Sequence, residues 1–131
     1  MKHLLDVNTL IALAHTGHTL HRKTVLWFSG LSAATDELWT CSITELGFVR
    51  VAVMVGLQPD VASAKQSLKE LKASSRVPFG FIPDDLGAAD LPAFVKNPGA
   101  ITDGHLSELA RTKSMSLVTL DRGIPGAEYI G

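Results

Sequence analysis

The fold of this chain is constrained most strongly by its alternation of short apolar runs with longer amphipathic stretches. Strand-like runs stand at 2–7, 37–42, 77–83 and 115–121, with a fifth short one in "AEYIG", and helix-like stretches stand at 8–17, 21–31, 44–56, 61–76 and 102–114. Strands that alternate with helices are typical of a parallel sheet covered on both faces. We therefore predict an α/β fold with a mainly parallel central sheet, formed as one domain over residues 1–131.

One carboxylate interrupts the first apolar run. In "HLLDVNTLIAL", Asp6 lies between a buried strand and the start of a buried helix. A charge in such a position is costly unless something pairs with it. In parallel sheets the ligand crevice lies beyond the carboxyl ends of the strands, which is where Asp6 falls.

Three further acids stand at the ends of predicted elements. Asp121 ends the fourth strand in "LVTLD", Asp103 lies in the first turn of the last helix, and Glu45 lies in the first turn of the helix after the second strand. Clustered carboxylates repel one another unless a cation is present. Oxygen-only ligands select Mg²⁺ or Mn²⁺, ions suited to phosphodiester cleavage. We predict that the four acids converge within ligand distance of one cation.

Three of these acids also have ordinary structural interpretations. Asp103 after a threonine is a common helix cap, and Asp121 before Arg122 and Gly123 is a common turn composition. Glu45 stands three residues after Ser42, the spacing of a capping box. Asp6 lacks a routine structural role, and the four acids together favour a site.

The composition of the chain excludes several classes of protein. The chain is 46% hydrophobic with a net charge of −1, so it is globular and carries no global positive field for nucleic acid. No apolar run approaches the ~18 residues that span a bilayer, and the N-terminus does not read as a signal peptide. Cys41 is the only cysteine, which excludes a disulfide framework and a thiolate zinc site. A cytoplasmic protein without membrane contact is the expectation.

Four segments, in order from residue 4 to residue 123, resemble the PIN-domain family. They are "LLDVNTLIAL", "CSITELGFVRV", "TDGHLSELA" and "LVTLDRG". Within that family they are similar to the VapC-type ribonuclease toxins of toxin–antitoxin pairs. The stretch "HTGHTLH" also looks like the VapC subgroup with "TELGFVR" in its second motif. The resemblance implies a three-layer α/β/α sandwich and a Mg²⁺- or Mn²⁺-dependent endoribonuclease.

The resemblance also assigns roles to residues of this sequence. It implies Asp6 and Asp103 as direct metal ligands, Asp121 as an additional or second-metal ligand, and Glu45 as a ligand through water or an orienter. The supporting polar residues are Asn8 in the first motif, Thr119 in the last, and Arg122 beside the last acid. Arg122 is expected near the charge that develops during cleavage.

The expected partners are RNA, an antitoxin and a second copy of the chain. The resemblance implies an antitoxin that covers the acidic crevice. The homodimer is predicted because the second and fourth helices carry more apolar surface than one core needs. The third helix, 44–56, is apolar on nearly every side and is expected to be buried.

The alternative function is that of an inert binding module with the same fold or a receiver-like fold. A receiver would need an aspartate ending the third strand and a lysine ending the fifth, and the chain has no lysine after Lys113.

Two side-chain patterns remain open between structural and functional interpretations. His15, His18 and His21 are spaced by three, but no fourth ligand lies nearby, so solvated or helix-capping imidazoles are favoured over zinc. A stripe on the fourth helix, Lys65, Lys69, Lys72 and Arg76, is either a solvated face or a track for RNA phosphates. Arg50, on the apolar third helix, is expected to extend its charge to solvent or to pair with an acid.

Overall fold

Five short strands form the centre of the protein in a computed structural model that describes residues 1–131. The strands are β1 (Lys2–Leu5), β2 (Glu37–Cys41), β3 (Phe79–Ile82), β4 (Ser116–Thr119) and β5 (Glu128–Tyr129). All neighbouring pairs are parallel, in the order β3-β2-β1-β4-β5. The helices are α1 (Val7–Ala14), α2 (His21–Ser29), α3 (Ser42–Met54), α4 (Val61–Ser74) and α5 (Ile101–Thr112), with short 3₁₀ turns at Ala88–Asp90 and Pro98–Ala100.

Helices cover both faces of the sheet. Alternate residues of a strand point to opposite faces, so Leu5 and Val118 join one buried cluster while Leu4 and Leu117 join the other. Residues of α1, α3 and α4 complete the first cluster, and residues of α5 complete the second. The predicted α/β/α sandwich with a parallel sheet is confirmed. None of its helices combines the length and apolar character needed to cross a bilayer.

The strand order reverses between β1 and β4. From β1 the chain moves to β2 and β3 on one side of the sheet, and then returns to place β4 and β5 on the other. In open parallel sheets, a crevice forms beyond the carboxyl ends of the two strands at such a switch point. Asp6 directly follows β1, and Asp121 lies two residues beyond β4. The topology therefore brings these two acids to the same crevice.

The prediction that the third helix is buried is wrong for most of its surface. Only four of its residues are buried, Thr44, Gly47, Phe48 and Ala52, whereas Leu46 is 70% exposed and Met54 is 75% exposed. The helix packs against α1 and α4, which leaves its remaining face open. Contact with α1 is close at Gly47, where a Cβ would lie 2.6 Å from Val7 Cγ2. An apolar composition does not specify how many faces neighbouring elements cover.

Candidate active site

Asp6 occupies the junction between β1 and α1, where it is the N-cap of the helix. Its Oδ1 accepts a hydrogen bond from the Val7 backbone N–H at 2.8 Å, and its Oδ2 accepts one from the Thr119 hydroxyl at 2.8 Å. Burial raises the pKa of Asp6, and the charge of Asp121 adds to that effect, while the two hydrogen bonds oppose it. Asp6 therefore has a structural role as a helix cap, which its position at a strand end does not predict.

Asp6, Asp103 and Asp121 converge. Their carboxylate oxygens include a set that lies within 4.8 Å of one another. No lysine, arginine or histidine forms an ion pair with any of the three. Burial, followed by the charges of Asp6 and Asp121, raises the pKa of Asp103. The cluster is therefore a concentration of negative charge that the protein's own side chains do not neutralise.

Thr119 and Asn8 tie the surrounding backbone together. The Thr119 hydroxyl donates to Asp6 Oδ2 and accepts a hydrogen bond from the Asp121 backbone N–H at 3.0 Å, so one hydroxyl links two of the acids. Asn8 Oδ1 accepts a hydrogen bond from the Leu120 N–H at 3.3 Å, which holds the start of α1 against the end of β4. Both residues lie where the sequence motifs predicted them, beside the acids.

Glu45 does not join the cluster, contrary to the predicted convergence of all four acids. Its Oε2 accepts a hydrogen bond from the Thr40 hydroxyl at 2.6 Å and forms an ion pair with Lys72 Nζ at 2.6 Å. The alternative interpretation, a capping interaction with Ser42, is also absent: Cys41 is the N-cap of α3, and the Thr44 hydroxyl bonds its backbone. The ammonium group of α4 neutralises the glutamate and holds it toward α4.

Arg122 makes a packing contact that the sequence did not predict. Its guanidinium carbon lies 4.8 Å from the centre of the Tyr129 ring, a cation–π contact at the edge of the sheet. It is not among the residues that line the pocket over the three acids. The structure therefore gives Arg122 a packing contact on β5, and its role next to the developing charge stays a prediction.

The three acids line a pocket of about 360 Å³ together with two nitrogen-bearing side chains that the sequence did not assign to the site. His18 reaches it from the connection between α1 and α2, and Arg50 reaches it from α3. The only sequence signal for His18 was its place in the three-residue histidine spacing. Arg50 gave no signal beyond its position on an apolar helix.

The predicted basic stripe on α4 divides into three kinds of residue. Lys65 and Lys69 line a groove of about 690 Å³ between α3 and α4 and form no ion pair, whereas Lys72 pairs with Glu45. Arg76 donates hydrogen bonds to the carbonyl oxygens of Leu31 at 2.8 Å and Phe28 at 3.0 Å. Arg76 therefore has a structural role, and the two lysines remain free to contact a ligand.

The donor set suits a hard divalent cation. Three carboxylates without a cationic partner offer oxygen ligands only, which is the chemistry that Mg²⁺ and Mn²⁺ select. Burial is the main cause that raises the pKa of Asp6 and of Asp103, and the neighbouring carboxylates add to it; a bound cation would favour the ionised form of both. The arrangement can hold a cation at the crevice and present it to an anionic substrate.

Comparison with known proteins finds close relatives over nearly the whole chain, although no family model matches it. Ribonuclease VapC38 of Mycobacterium tuberculosis is 38% identical over 126 residues, which cover 92% of this chain and 86% of that protein. Ribonuclease VapC39 of the same species is 33% identical over 140 residues, covering 100% of this chain and 96% of that protein.

Solved structures share the fold at low sequence identity. Mycobacterium tuberculosis VapC20, a toxin that cleaves the sarcin-ricin loop, superposes with a TM-score of 0.62 at 10% identity, covering 92% of this chain and 89% of that one. VapBC2 from Rickettsia felis, solved with a DNA fragment from its promoter, superposes with a TM-score of 0.57 at 15% identity, covering 98% and 97%. These two structures support the sheet topology described above.

Proposed function

The chain belongs to the VapC family of ribonucleases, and we propose that it is an endoribonuclease that uses a divalent cation, Mg²⁺ or Mn²⁺. It acts as the toxin of a toxin–antitoxin pair. The observation that carries the cation dependence is the convergence of Asp6, Asp103 and Asp121 without any cationic partner. A cluster of acids repels an RNA phosphate unless a bound cation reverses the local charge.

Asp6 and Asp103 are the proposed direct ligands, and Asp121 is the proposed additional ligand. A bound Mg²⁺ or Mn²⁺ would supply Lewis-acid polarisation of a phosphoryl oxygen and would lower the pKa of a coordinated water. The protein holds the Asp6 carboxylate in one orientation through the Val7 N–H and the Thr119 hydroxyl. Asp121 is exposed, with its backbone fixed by the same hydroxyl, so its side chain is the most adaptable of the three.

Glu45 has a different proposed role. Its pairing with Lys72 excludes it from direct coordination in this arrangement. It is proposed to orient groups from the wall of the groove that it lines together with Lys65 and Lys69. This is the orienter role that the family resemblance implies for it.

The proposed partners are an antitoxin and a second copy of the chain. Family membership supports the antitoxin, and large apolar side chains left open to solvent support both partners. Leu26 on α2, Leu46 and Met54 on α3, and Val61 on α4 are each more than half exposed. Sedimentation at micromolar protein concentration tests the homodimer, and a strict monomer would contradict it.

RNA cleavage with controlled metal tests the proposed function. The purified chain is incubated with total bacterial RNA in Mn²⁺, in Mg²⁺ or in EDTA, and cut sites are mapped by primer extension. We expect discrete cleavage that requires the cation and is abolished by Asp6→Asn or Asp103→Asn. Asp85→Asn is the matched control, because Asp85 is exposed and forms no ion pair. Cleavage that persists in EDTA would contradict the cation dependence.

A further inference from the structure

The three histidines of the connection between α1 and α2 have different partners. His15 Nδ1 donates to the Ile11 carbonyl at 2.8 Å, and its Nε2 accepts from the Gln58 side chain at 2.9 Å. His21 Nδ1 donates to the Ala12 carbonyl at 2.7 Å. His15 and His21 therefore fasten both ends of the connection to the last turn of α1. This explains two of the three histidines without a metal.

His18 lies between these anchors and faces the acidic pocket. Its Nδ1 accepts a hydrogen bond from the Leu20 backbone N–H at 3.0 Å, so the ring proton is on Nε2. Nε2 has no hydrogen-bond partner in the protein, and it is not one of the buried unpaired atoms. His18 therefore presents an N–H donor that a ligand in the pocket can use.

Arg50 offers a second free donor at the same pocket. Its side chain is exposed, lines both the acidic pocket and the groove between α3 and α4, and forms no ion pair. The only other nitrogen-bearing side chain along the acidic pocket is Asn8, whose amide oxygen already bonds the backbone of Leu120. A guanidinium is well suited to phosphate because its N–H groups form a rigid fork.

We propose that the His18 Nε2–H and the Arg50 guanidinium bind non-bridging phosphate oxygens of the RNA strand lying over the three carboxylates. This inference deepens the proposed function and rests on it. An RNA strand carries a negative charge at each nucleotide, and a cation at Asp6, Asp103 and Asp121 compensates only the phosphate next to it. Donors on the rim of the pocket hold the neighbouring phosphates and fix the register of the strand.

Two substitutions of His18 separate contact with RNA from support of the loop. In His18→Asn the side-chain oxygen takes the place of Nδ1 as acceptor for the Leu20 N–H, but no donor remains at the position of Nε2. In His18→Gln the longer amide places an N–H₂ group near that position. A hydrogen bond to a charged group is worth ~1.5–3 kcal/mol, so we expect His18→Asn to raise KM for a mapped RNA oligonucleotide about tenfold or more. We expect His18→Gln to restore most of the loss.

Arg50→Gln tests the charged contact through its salt dependence. Binding of a short fluorescein-labelled single-stranded RNA is measured by anisotropy in the Asp6→Asn background, which prevents turnover. Loss of one phosphate contact is expected to flatten the plot of log Kd against log salt by about 0.7. Arg22→Gln is the matched control, because Arg22 is an exposed arginine on α2 away from the acidic pocket. The neutral His18 contact should leave this slope unchanged.

The outcomes separate this inference from the proposed function. If the unsubstituted protein cleaves no RNA with Mn²⁺ or Mg²⁺, the proposed function fails, and the inference fails with it. If it cleaves RNA but His18→Asn and Arg50→Gln match it in KM and salt slope, only the inference is overturned. The inference is also overturned if His18→Asn and His18→Gln are equally impaired and both lose the Mn²⁺-induced rise in Tm, since His18 would then act through the fold.

Discussion

Thr119 Oγ1 donates a hydrogen bond to Asp6 Oδ2 over 2.8 Å, joining the ends of the two strands between which the sheet order reverses. Thr119 is fully buried and Asp6 is 4% exposed, so water does not replace this bond readily. The same hydroxyl accepts from the Asp121 N–H. The Thr119 side chain on β4 therefore orients two groups. These are the Asp6 carboxylate at the end of the neighbouring strand β1 and the backbone of Asp121.

Replacement of Thr119 by valine should destabilise the protein and weaken the site. The change keeps the shape but leaves Asp6 Oδ2 without its donor, which costs about 1–3 kcal/mol for a buried group. The hydroxyl also lowers the pKa of Asp6 against the effect of burial, so its loss should raise that pKa further and reduce cation affinity. Urea unfolding and Mn²⁺ titration measure the two effects. Thr119→Ser, which keeps the hydroxyl, is the control; equal results for valine and serine would show that the bond is unimportant.

In the absence of metal, the contribution of the acid cluster to the free energy of unfolding should decrease as pH rises. Burial raises the pKa of Asp6 and of Asp103, so the folded state binds their protons more tightly than the unfolded state. Their contribution is therefore most favourable below the ordinary aspartate pKa and is lost as pH rises through the raised values. Because Asp36, Asp60 and Glu108 have lowered pKa values and act in the opposite sense, the difference between variants is the informative quantity.

Unfolding measured in EDTA at a series of pH values isolates that difference. We expect Asp103→Asn to gain stability relative to the unsubstituted protein as pH rises toward neutrality. Saturating Mn²⁺ should remove the loss of stability with rising pH in the unsubstituted protein but should have no such effect on Asp103→Asn. Asp85→Asn should follow the unsubstituted curve. A stability difference for Asp103→Asn that is the same at every pH would contradict the raised pKa.

Glu45 should be dispensable for cation binding. Because its carboxylate pairs with Lys72 and lies outside the three-acid cluster, Glu45→Gln should keep the Mn²⁺-induced stabilisation, which amounts to about 2.7 kcal/mol at a concentration of 100 Kd. Asp103→Asn should lose it. Thermal unfolding with and without Mn²⁺ makes the comparison. Loss of the stabilisation in Glu45→Gln would show that Glu45 leaves Lys72 and turns to the ion.

Arg76 and Lys69 should differ in their effects on stability, although both belong to the stripe predicted from the sequence. Arg76 bonds two carbonyl oxygens at the end of α2 and lies 5.1 Å from the Phe28 ring centre, whereas Lys69 forms no ion pair. We expect Arg76→Ala to cost about 1 kcal/mol and Lys69→Ala to cost almost nothing. Urea unfolding at fixed salt decides this, and similar costs for the two variants would refute it.

The site residues that lie at the carboxyl ends of strands could be predicted from the sequence. Asp6 and Asp121 follow apolar strands, and the carboxyl ends of parallel strands meet at one edge of a sheet. The predicted helices and strands also occur in order, with ends shifted by a few residues. The strand order itself depends on long-range pairing, for which a single sequence carries no direct signal.

The placement of Glu45, His18 and α3 depends on distant residues and could not be predicted. Lys72 is 27 residues from Glu45 in the chain, and nothing local indicates that the two would pair. His18 lies beside acids at positions 6, 103 and 121, so its place in the site depends on the long-range pairing of β1 with β4 as well as on the bonds of His15 and His21 to the backbone of α1. The apolar surface of α3 predicts burial on all sides, but one face of the helix has no neighbour in this chain.

A crystal structure of the protein grown with Mn²⁺, with the ion located by its anomalous scattering, tests the proposed cation site most directly. We expect one anomalous peak at the carboxyl ends of β1 and β4, with carboxylate oxygens of Asp6 and Asp103 at bonding distance and Asp121 beside them. Crystals of the Asp103→Asn variant, grown with Mn²⁺ in the same way, should lack the peak. A peak on Glu45, or none at the three acids at a Mn²⁺ concentration that supports RNA cleavage, would contradict the proposal.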